Sequence, residues 1–195
     1  MSEKQIRIGI TGGIGSGKTF VGEVFNKLGI PVFNADVQAK LCMVDNRSLR
    51  HDIKDAFGDD IYKNGSLQTK FLAEIVFNDS QALEKLNALV HPVVKKAFED
   101  WCEKQESNII IKEAAILFES NSHIGLDKVI CVSAAEDIRI KRVMDRDNIS
   151  KQQVASRIEK QMSQSEKEEL SDFLISNNGD QLLLPQILKI INQIS

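Results

Sequence analysis

The sequence predicts an α/β fold built on a parallel sheet of about five strands. Short apolar runs, several of them rich in Ile and Val, alternate with segments whose apolar residues recur at helical spacing. Strands that alternate with helices indicate a parallel sheet, and nearly continuous apolar runs are typical of strands buried on both faces. The predicted strands cover residues 6–10, 31–33, 108–112, 128–132 and 172–175.

Helical patterns fill most of the intervals between these strands. Residues 17–28 and 182–194 each place apolar side chains on one face of a helix. Residues 46–104 break the alternation, because they contain a long helical stretch and no convincing buried strand. We therefore predict a single domain, 1–195, with a helical insertion at 46–104.

A second unusual region, residues 136–169, is dense in charge. Its basic side chains are Arg139, Lys141, Arg142, Arg146, Lys151, Arg157 and Lys160. A solvated helical face is one interpretation of this density, and a mobile basic lid over an anionic ligand is the other. We predict a helical lid here.

The composition disfavours several classes of protein. The 195 residues carry a formal net charge of −3, whereas a general nucleic-acid binder usually has a basic excess. No apolar stretch approaches the roughly 20 residues of a membrane span, and the N-terminal apolar run is too short and too charged for a signal peptide. The three cysteines have neither disulfide-framework nor zinc-site spacing. We expect a cytoplasmic protein without nucleic-acid or membrane partners, and the oligomeric state stays open.

A glycine-rich loop with the pattern G-x-x-x-x-G-K-[ST] follows the first predicted strand and opens the first predicted helix. It consists of Gly12, Gly13, Ile14, Gly15, Ser16, Gly17, Lys18 and Thr19. Glycines let successive N–H groups point at one anion, and the helix N-terminus adds partial positive charge. The lysine reaches the β and γ phosphates, and the threonine hydroxyl ligates Mg²⁺. The pattern in this context predicts a nucleotide-binding P-loop, whereas the alternative is an ordinary glycine-rich turn.

A P-loop alone does not decide the reaction. A guanine-specific N-K-x-D motif is not evident, which disfavours a GTPase. Asp36 follows the second predicted strand, at the edge where the P-loop lies, and is the candidate base for an acceptor hydroxyl; a helix N-cap is its alternative role. Glu113 follows the third predicted strand and is either a water-mediated Mg²⁺ ligand or a solvated loop residue. Arg142 and Arg146 share a helix face and suit a transferring phosphoryl group, unless they are plain surface arginines.

Motifs spread in order along nearly the whole chain resemble the dephospho-CoA kinase family. They are TGGIGSGK at 11–18, LGIPVFNAD at 28–36, LNALVHP at 86–92, LFE at 117–119, RVMDRD at 142–147, ASRIEKQ at 155–161 and NNG at 177–179. Short pieces such as NNG are weak signals, but the order and spacing of the set are specific.

The resemblance implies a three-layer P-loop kinase that uses ATP and Mg²⁺ to phosphorylate the ribose 3′-hydroxyl of dephospho-CoA. It implies Asp36 as the catalytic base, with Lys18, Arg142 and Arg146 stabilising charge on the phosphates and Thr19 on the metal. Further residues that it assigns to ATP or to the acceptor are Asn177, Gly179, His91, Pro92 and Arg157. The alternative for His91 is a structural hydrogen bond.

Several positions depart from the family pattern. Asn34 and Ser176 stand where Asp is usual, Ala115 where Pro is usual, and Arg139 where Gln is usual. Two rival functions share the P-loop. A nucleoside or nucleotide kinase would differ in the insertion, and a nucleotide-dependent binding switch would lack phosphotransfer.

Overall fold

A sheet of five parallel strands organises the larger part of the chain. The computed structural model describes residues 5–194, without the side chains at positions 77 and 78. The strands are β1 (Ile6–Thr11), β2 (Val32–Asn34), β3 (Tyr62–Lys63), β4 (Ser66–Leu67), β5 (Ile109–Glu113), β6 (Lys128–Ser133) and β7 (Phe173–Ser176). The order across the main sheet is β2-β5-β1-β6-β7, and β3 pairs with β4 in a separate antiparallel hairpin. The α/β prediction is confirmed, and every predicted strand of the sheet is present within one residue of its expected bounds.

Helices connect the strands of the sheet. They are α1 (Lys18–Lys27), α2 (Ala35–Asp45), α3 (Arg47–Phe57), α4 (Thr69–Asn78), α5 (Ser80–Cys102), α6 (Glu136–Asp147), α7 (Lys151–Ile158), α8 (Gln164–Glu169) and α9 (Leu183–Ile194), with a short 3-10 helix at Asp59–Ile61. Within residues 5–194, no helix has both the length and the apolar character needed to cross a membrane.

The described residues form two compact units. The five-stranded unit consists of residues 5–34 and 105–194, and the helical unit is Ala35–Lys104. The insertion was predicted to start at residue 46, but the helical unit starts at Ala35 because α2 follows β2 directly and packs against α5. The β3–β4 hairpin was not predicted, since strands of two residues are too short to show an alternating pattern. The assignment of 1–195 to one domain stays a prediction.

Strand β1 occupies the centre of the five-stranded unit. Ile6 pairs with Ile109 of β5, and Thr11 pairs with Cys131 of β6. Buried residues of α1 and α9, including Phe25 and Ile187, pack with the β1 side chains in one apolar core. Because the strands are parallel, their carboxyl ends lie at one edge of the sheet, which is where ligands bind in open α/β folds.

Candidate functional site

The P-loop lies at the carboxyl edge of the sheet, between β1 and α1. Gly12 has φ +145°, and a Cβ there would collide with the carbonyl oxygen of Val132, so glycine is required. Lys18 is 8% exposed, and its Nζ donates hydrogen bonds to the carbonyl oxygens of Gly12 at 2.9 Å and Gly13 at 3.3 Å. The Oγ of buried Ser16 has no hydrogen-bond partner among residues 5–194, so a bound anion can satisfy it. The loop therefore brings the Lys18 ammonium group and the N-terminus of α1 together, which suits the binding of an anion.

A carboxylate and a hydroxyl meet beside the start of α1. Glu113 ends β5 and is 4% exposed; its Oε1 accepts from Thr19 Oγ1 at 2.8 Å, and its Oε2 accepts from Asn34 Nδ2 at 2.7 Å. The interpretation of Glu113 as a solvated loop residue is therefore wrong. An Asp in place of Asn34 would set two carboxylates against each other, which explains why an amide suits this position.

The Thr19–Glu113 pair fits a Mg²⁺ ion. Its hydroxyl and carboxylate oxygens are the hard ligands that Mg²⁺ prefers. In the described part of the chain, no three His, Cys, Asp or Glu side chains cluster in a way that could hold a metal ion. An ion here would take its other ligands from nucleotide phosphates and water.

Two predicted site residues hold the second half of the P-loop. Asn177 follows β7, and its Nδ2 donates to the carbonyl oxygen of Ser16 at 2.8 Å. Arg142 of α6 donates from Nη2 to the carbonyl oxygen of Asn177 at 2.9 Å and from Nη1 to that of Gly15 at 3.5 Å. Arg142 and Asn177 thus lie directly against the loop.

The other predicted arginines meet at the end of α6. Arg146 donates to both oxygens of Asp147, at 2.7 and 3.1 Å, and its side chain is 63% exposed. Arg157 of α7 donates to Asp147 Oδ2 at 2.8 Å. The hydrogen bond from Arg146, together with that from Arg157, lowers the pKa of Asp147. The structure therefore links Arg146 and Arg157 through one carboxylate, away from the contacts that Arg142 makes. Gly179, in the turn after β7, has φ +93°.

Three predicted residues belong to the helical unit. Asp36 is exposed in the first turn of α2, whose first residue is Ala35. The alternative role of Asp36 as a helix N-cap is therefore wrong, because α2 already begins one residue before it. His91 and Pro92 lie within α5, which continues through the proline.

Comparison with known proteins identifies the family. The sequence profile of dephospho-CoA kinase matches residues 6–182. The chain belongs to the dephospho-CoA kinase family. A dephospho-CoA kinase from Bacteroides fragilis (strain YCH46) is 38% identical over 187 residues, covering 95% of this chain and 91% of the relative.

Solved structures agree with this assignment. The crystal structure of TT1252 from Thermus thermophilus matches with a TM-score of 0.88 at 30% identity, covering 97% of each chain. The dephospho-CoA kinase from Campylobacter jejuni matches with a TM-score of 0.69 at 26% identity, covering 97% of this chain and 96% of that one. The resemblance inferred from the motifs and the P-loop kinase fold are both confirmed.

Several polar residues that contact the P-loop were not predicted as site residues from the sequence. Arg139 is 4% exposed, its guanidinium lies against Gly13, and its Nε donates to the Ala134 carbonyl oxygen at 3.1 Å. Its departure from the dephospho-CoA kinase pattern was the available signal. Gln161 and Gln164 accept hydrogen bonds from the P-loop backbone. Gln161 ends the ASRIEKQ motif, but no signal marked Gln164.

Proposed function

We propose that this chain transfers the γ-phosphate of ATP to the ribose 3′-hydroxyl of dephospho-CoA, giving coenzyme A and ADP. Membership of the dephospho-CoA kinase family supports the substrate pair. The observation that carries the proposal is the P-loop at the sheet edge, with Lys18 folded over its carbonyl groups. A cytoplasmic location accompanies this proposal.

The P-loop residues Gly12–Thr19 have the task of binding the triphosphate. Lys18 supplies a full positive charge to the β and γ phosphates as charge develops in the transition state. Mg²⁺, when bound, would neutralise phosphate charge. Thr19 and Glu113 are the residues that would hold it, directly or through water.

The acceptor side of the reaction falls to the helical unit in this proposal. Asp36 accepts a hydrogen bond, and then the proton, from the 3′-hydroxyl. Chain connectivity supports this role, because Asp36 follows the last residue of β2 by two positions, at the edge where the strands end. His91 and Pro92 contact the acceptor, and residues 46–104 form the acceptor-binding insertion.

Residues 136–169 act as the lid. Arg142 lies against the P-loop, so a short movement brings its charge to the phosphates. Arg146 and Arg157 would exchange their bonds with Asp147 for bonds to substrate phosphates. Asn177 and Gly179 bind the nucleotide beside the end of β7. Closure of the lid excludes water, which otherwise competes as the phosphate acceptor.

The proposal is tested by measuring ADP release with and without dephospho-CoA, with the product identified by mass spectrometry. We expect ADP release to depend on dephospho-CoA and the product to carry one added phosphoryl group. A panel of nucleosides and nucleotides serves as competing acceptors. Turnover of a nucleoside but not of dephospho-CoA would overturn the assignment.

Two matched pairs of variants in the same assay test the proposed roles. Lys18→Ala should abolish turnover with the circular dichroism spectrum unchanged, whereas Lys27→Ala, at the exposed end of the same helix, should not. Asp36→Asn should lower kcat at least about 100-fold, since a positioned general base contributes on the order of 10² to 10⁴. Asp45→Asn, at the other end of α2, is its control. A kcat for Asp36→Asn within about twofold of the parent would remove Asp36 from the mechanism.

A further inference from the structure

The connection between α7 and α8 is fixed to the P-loop by two glutamine side chains. The backbone N–H of Gly13 donates to Gln164 Oε1 at 2.8 Å, and that of Ile14 donates to Gln161 Oε1 at 2.9 Å. These are consecutive amides of the loop, and Gly13 is buried. We call Gln161 and Gln164 the glutamine clamp.

The amide group of Gln164 has one allowed orientation. Its Nε2 faces Glu168 Oε1 at 2.9 Å and the Val132 carbonyl oxygen at 3.4 Å, both of which are hydrogen-bond acceptors. Glu168 is itself held, because its Oε1 also accepts from Ser133 Oγ at 2.5 Å. Turning the amide over would set oxygen against oxygen, so Oε1 must point at Gly13.

The backbone that carries the clamp is also held in place. The Gln161 N–H donates to the Ile158 carbonyl oxygen at 3.0 Å, and the Met162 N–H donates to Glu119 Oε1 at 2.9 Å. Ser163 caps α8 in a reciprocal capping box with Glu166. Four consecutive residues, 161–164, therefore each make a defined bond, which makes the clamp a rigid support rather than a passing surface contact.

Ile14 joins the P-loop to the proposed lid in a second way. Its side chain packs against a small apolar cluster formed by Ile140 and Val143 of α6 and Val154 of α7. Its amide bonds Gln161 at the end of the same helical pair. One P-loop residue thus contacts the lid region through both its side chain and its backbone.

We propose that Gln161 and Gln164 are positioning residues for ATP, an inference that rests on the proposed use of the P-loop for nucleotide binding. By engaging the amides of Gly13 and Ile14, they fix the first half of the loop. The amides nearer α1 then point at the phosphates without rearrangement, and such preorganisation improves affinity. The clamp also keeps the C-terminal end of the lid region attached to the loop.

The test uses Gln161→Met and Gln164→Met, which keep side-chain length and remove the acceptor oxygen. Amide exchange of Gly13 and Ile14 is measured by NMR on the full chain, and the Kd for ATP is measured by calorimetry. Gln152→Met, at an exposed position of α7, is the control. Gln161→Met should speed exchange at Ile14 at least tenfold while Gly13 stays protected, and Gln164→Met should do the reverse. Each should weaken ATP binding about tenfold, the order expected for one lost hydrogen bond.

A purely structural role predicts a different pattern. If the glutamines were only structural, their replacement would lower the active fraction and the melting temperature but leave the Kd of the folded protein for ATP unchanged. We expect the KM for ATP to rise and kcat at saturating ATP to change less. Gln161→Glu retains an acceptor oxygen and should restore the protection of the Ile14 amide even if Gln161→Met folds poorly.

Two outcomes overturn the proposal. One is a Kd for ATP within twofold of the parent in both methionine variants despite faster amide exchange. The other is an Ile14 amide as unprotected in Gln161→Glu as in Gln161→Met. Neither readout needs phosphotransfer, so failure of the clamp is distinguishable from failure of the proposed kinase reaction.

Discussion

Removing the Glu119 carboxylate would leave a buried ammonium group without its counter-charge. Lys167 of α8 is fully buried, and its Nζ donates to Glu119 Oε1 and to the Ala115 carbonyl oxygen, both at 2.7 Å. Glu119 is 22% exposed and also accepts from the Met162 backbone N–H. The change Glu119→Leu removes the charge and the acceptor while keeping a side chain of similar size.

The expected loss of stability follows from burial. Deleting one partner of a buried ion pair costs about 3–5 kcal/mol, because the remaining charge stays desolvated. A loss of that size lowers the urea midpoint by about 1.5 M and the melting temperature by roughly 10 °C for a chain of this length. The exposed pair Lys96–Asp100 has nearly the same length, 2.6 Å, with side chains 76% and 47% exposed. Asp100→Leu should cost far less than Glu119→Leu, since water screens such pairs.

Urea denaturation, monitored by circular dichroism, measures the stability of Glu119→Leu, Asp100→Leu and Lys167→Met. Replacing both members of the buried pair, Glu119→Leu with Lys167→Met, should recover most of the loss, because no charge then remains buried. The reasoning fails if Glu119→Leu costs no more than Asp100→Leu, or if Lys167→Met adds to the loss instead of relieving it.

Three further predictions concern the P-loop and a buried thiol. Gly12→Ala should abolish ATP binding and destabilise the fold, because the added Cβ would collide with the Val132 carbonyl oxygen. Gly29→Ala, at φ +84° and with open space around it, should cost only about 1–2 kcal/mol of backbone strain. Urea denaturation and calorimetry compare the two variants, and an equal loss of folding free energy in both would contradict the collision at Gly12. Burial raises the pKa of Cys131 to about 11, so iodoacetamide at pH 8 should label half-buried Cys42 before Cys131 by peptide mapping, and rapid native labelling of Cys131 would contradict its burial. Because the pKa of Cys131 is higher in the folded chain, its contribution to stability is complete below the ordinary thiol pKa of 9.0. That contribution is lost as the pH rises to about 11, a decline that Cys131→Ala should reduce.

The sheet and the P-loop could be predicted because their signals are local. Ile-rich runs such as 109–111 mark buried strands, and the glycine and lysine pattern of 12–18 encodes a backbone shape within a few residues. The motif order then led to the family. Glu113 was identified as a candidate from its place after a strand, although only the structure distinguished its buried role from a solvated one.

The supports of the loop could not be predicted, because they are polar contacts between distant parts of the chain. Gln164 lies 151 positions from Gly13, and Lys167 lies 48 positions from Glu119. A glutamine or lysine in a charged stretch looks like a solvated surface residue, and hydropathy carries no sign of a specific partner. The start of the helical unit at Ala35 was missed for the same reason, because α2 joins that unit by packing against α5, which is distant in the sequence.

The strand order has a consequence for the chain as it leaves the ribosome. β1 is made first, yet its neighbours β5 and β6 begin only at Ile109 and Lys128. Residues 35–104, which form one continuous compact unit, are made during this delay, before either strand that pairs with the Ile-rich β1. Translation must therefore pass Ser133 before β1 can pair with both of its neighbouring strands. It must also pass Asn177 before that side chain can donate its hydrogen bond to Ser16 of the P-loop.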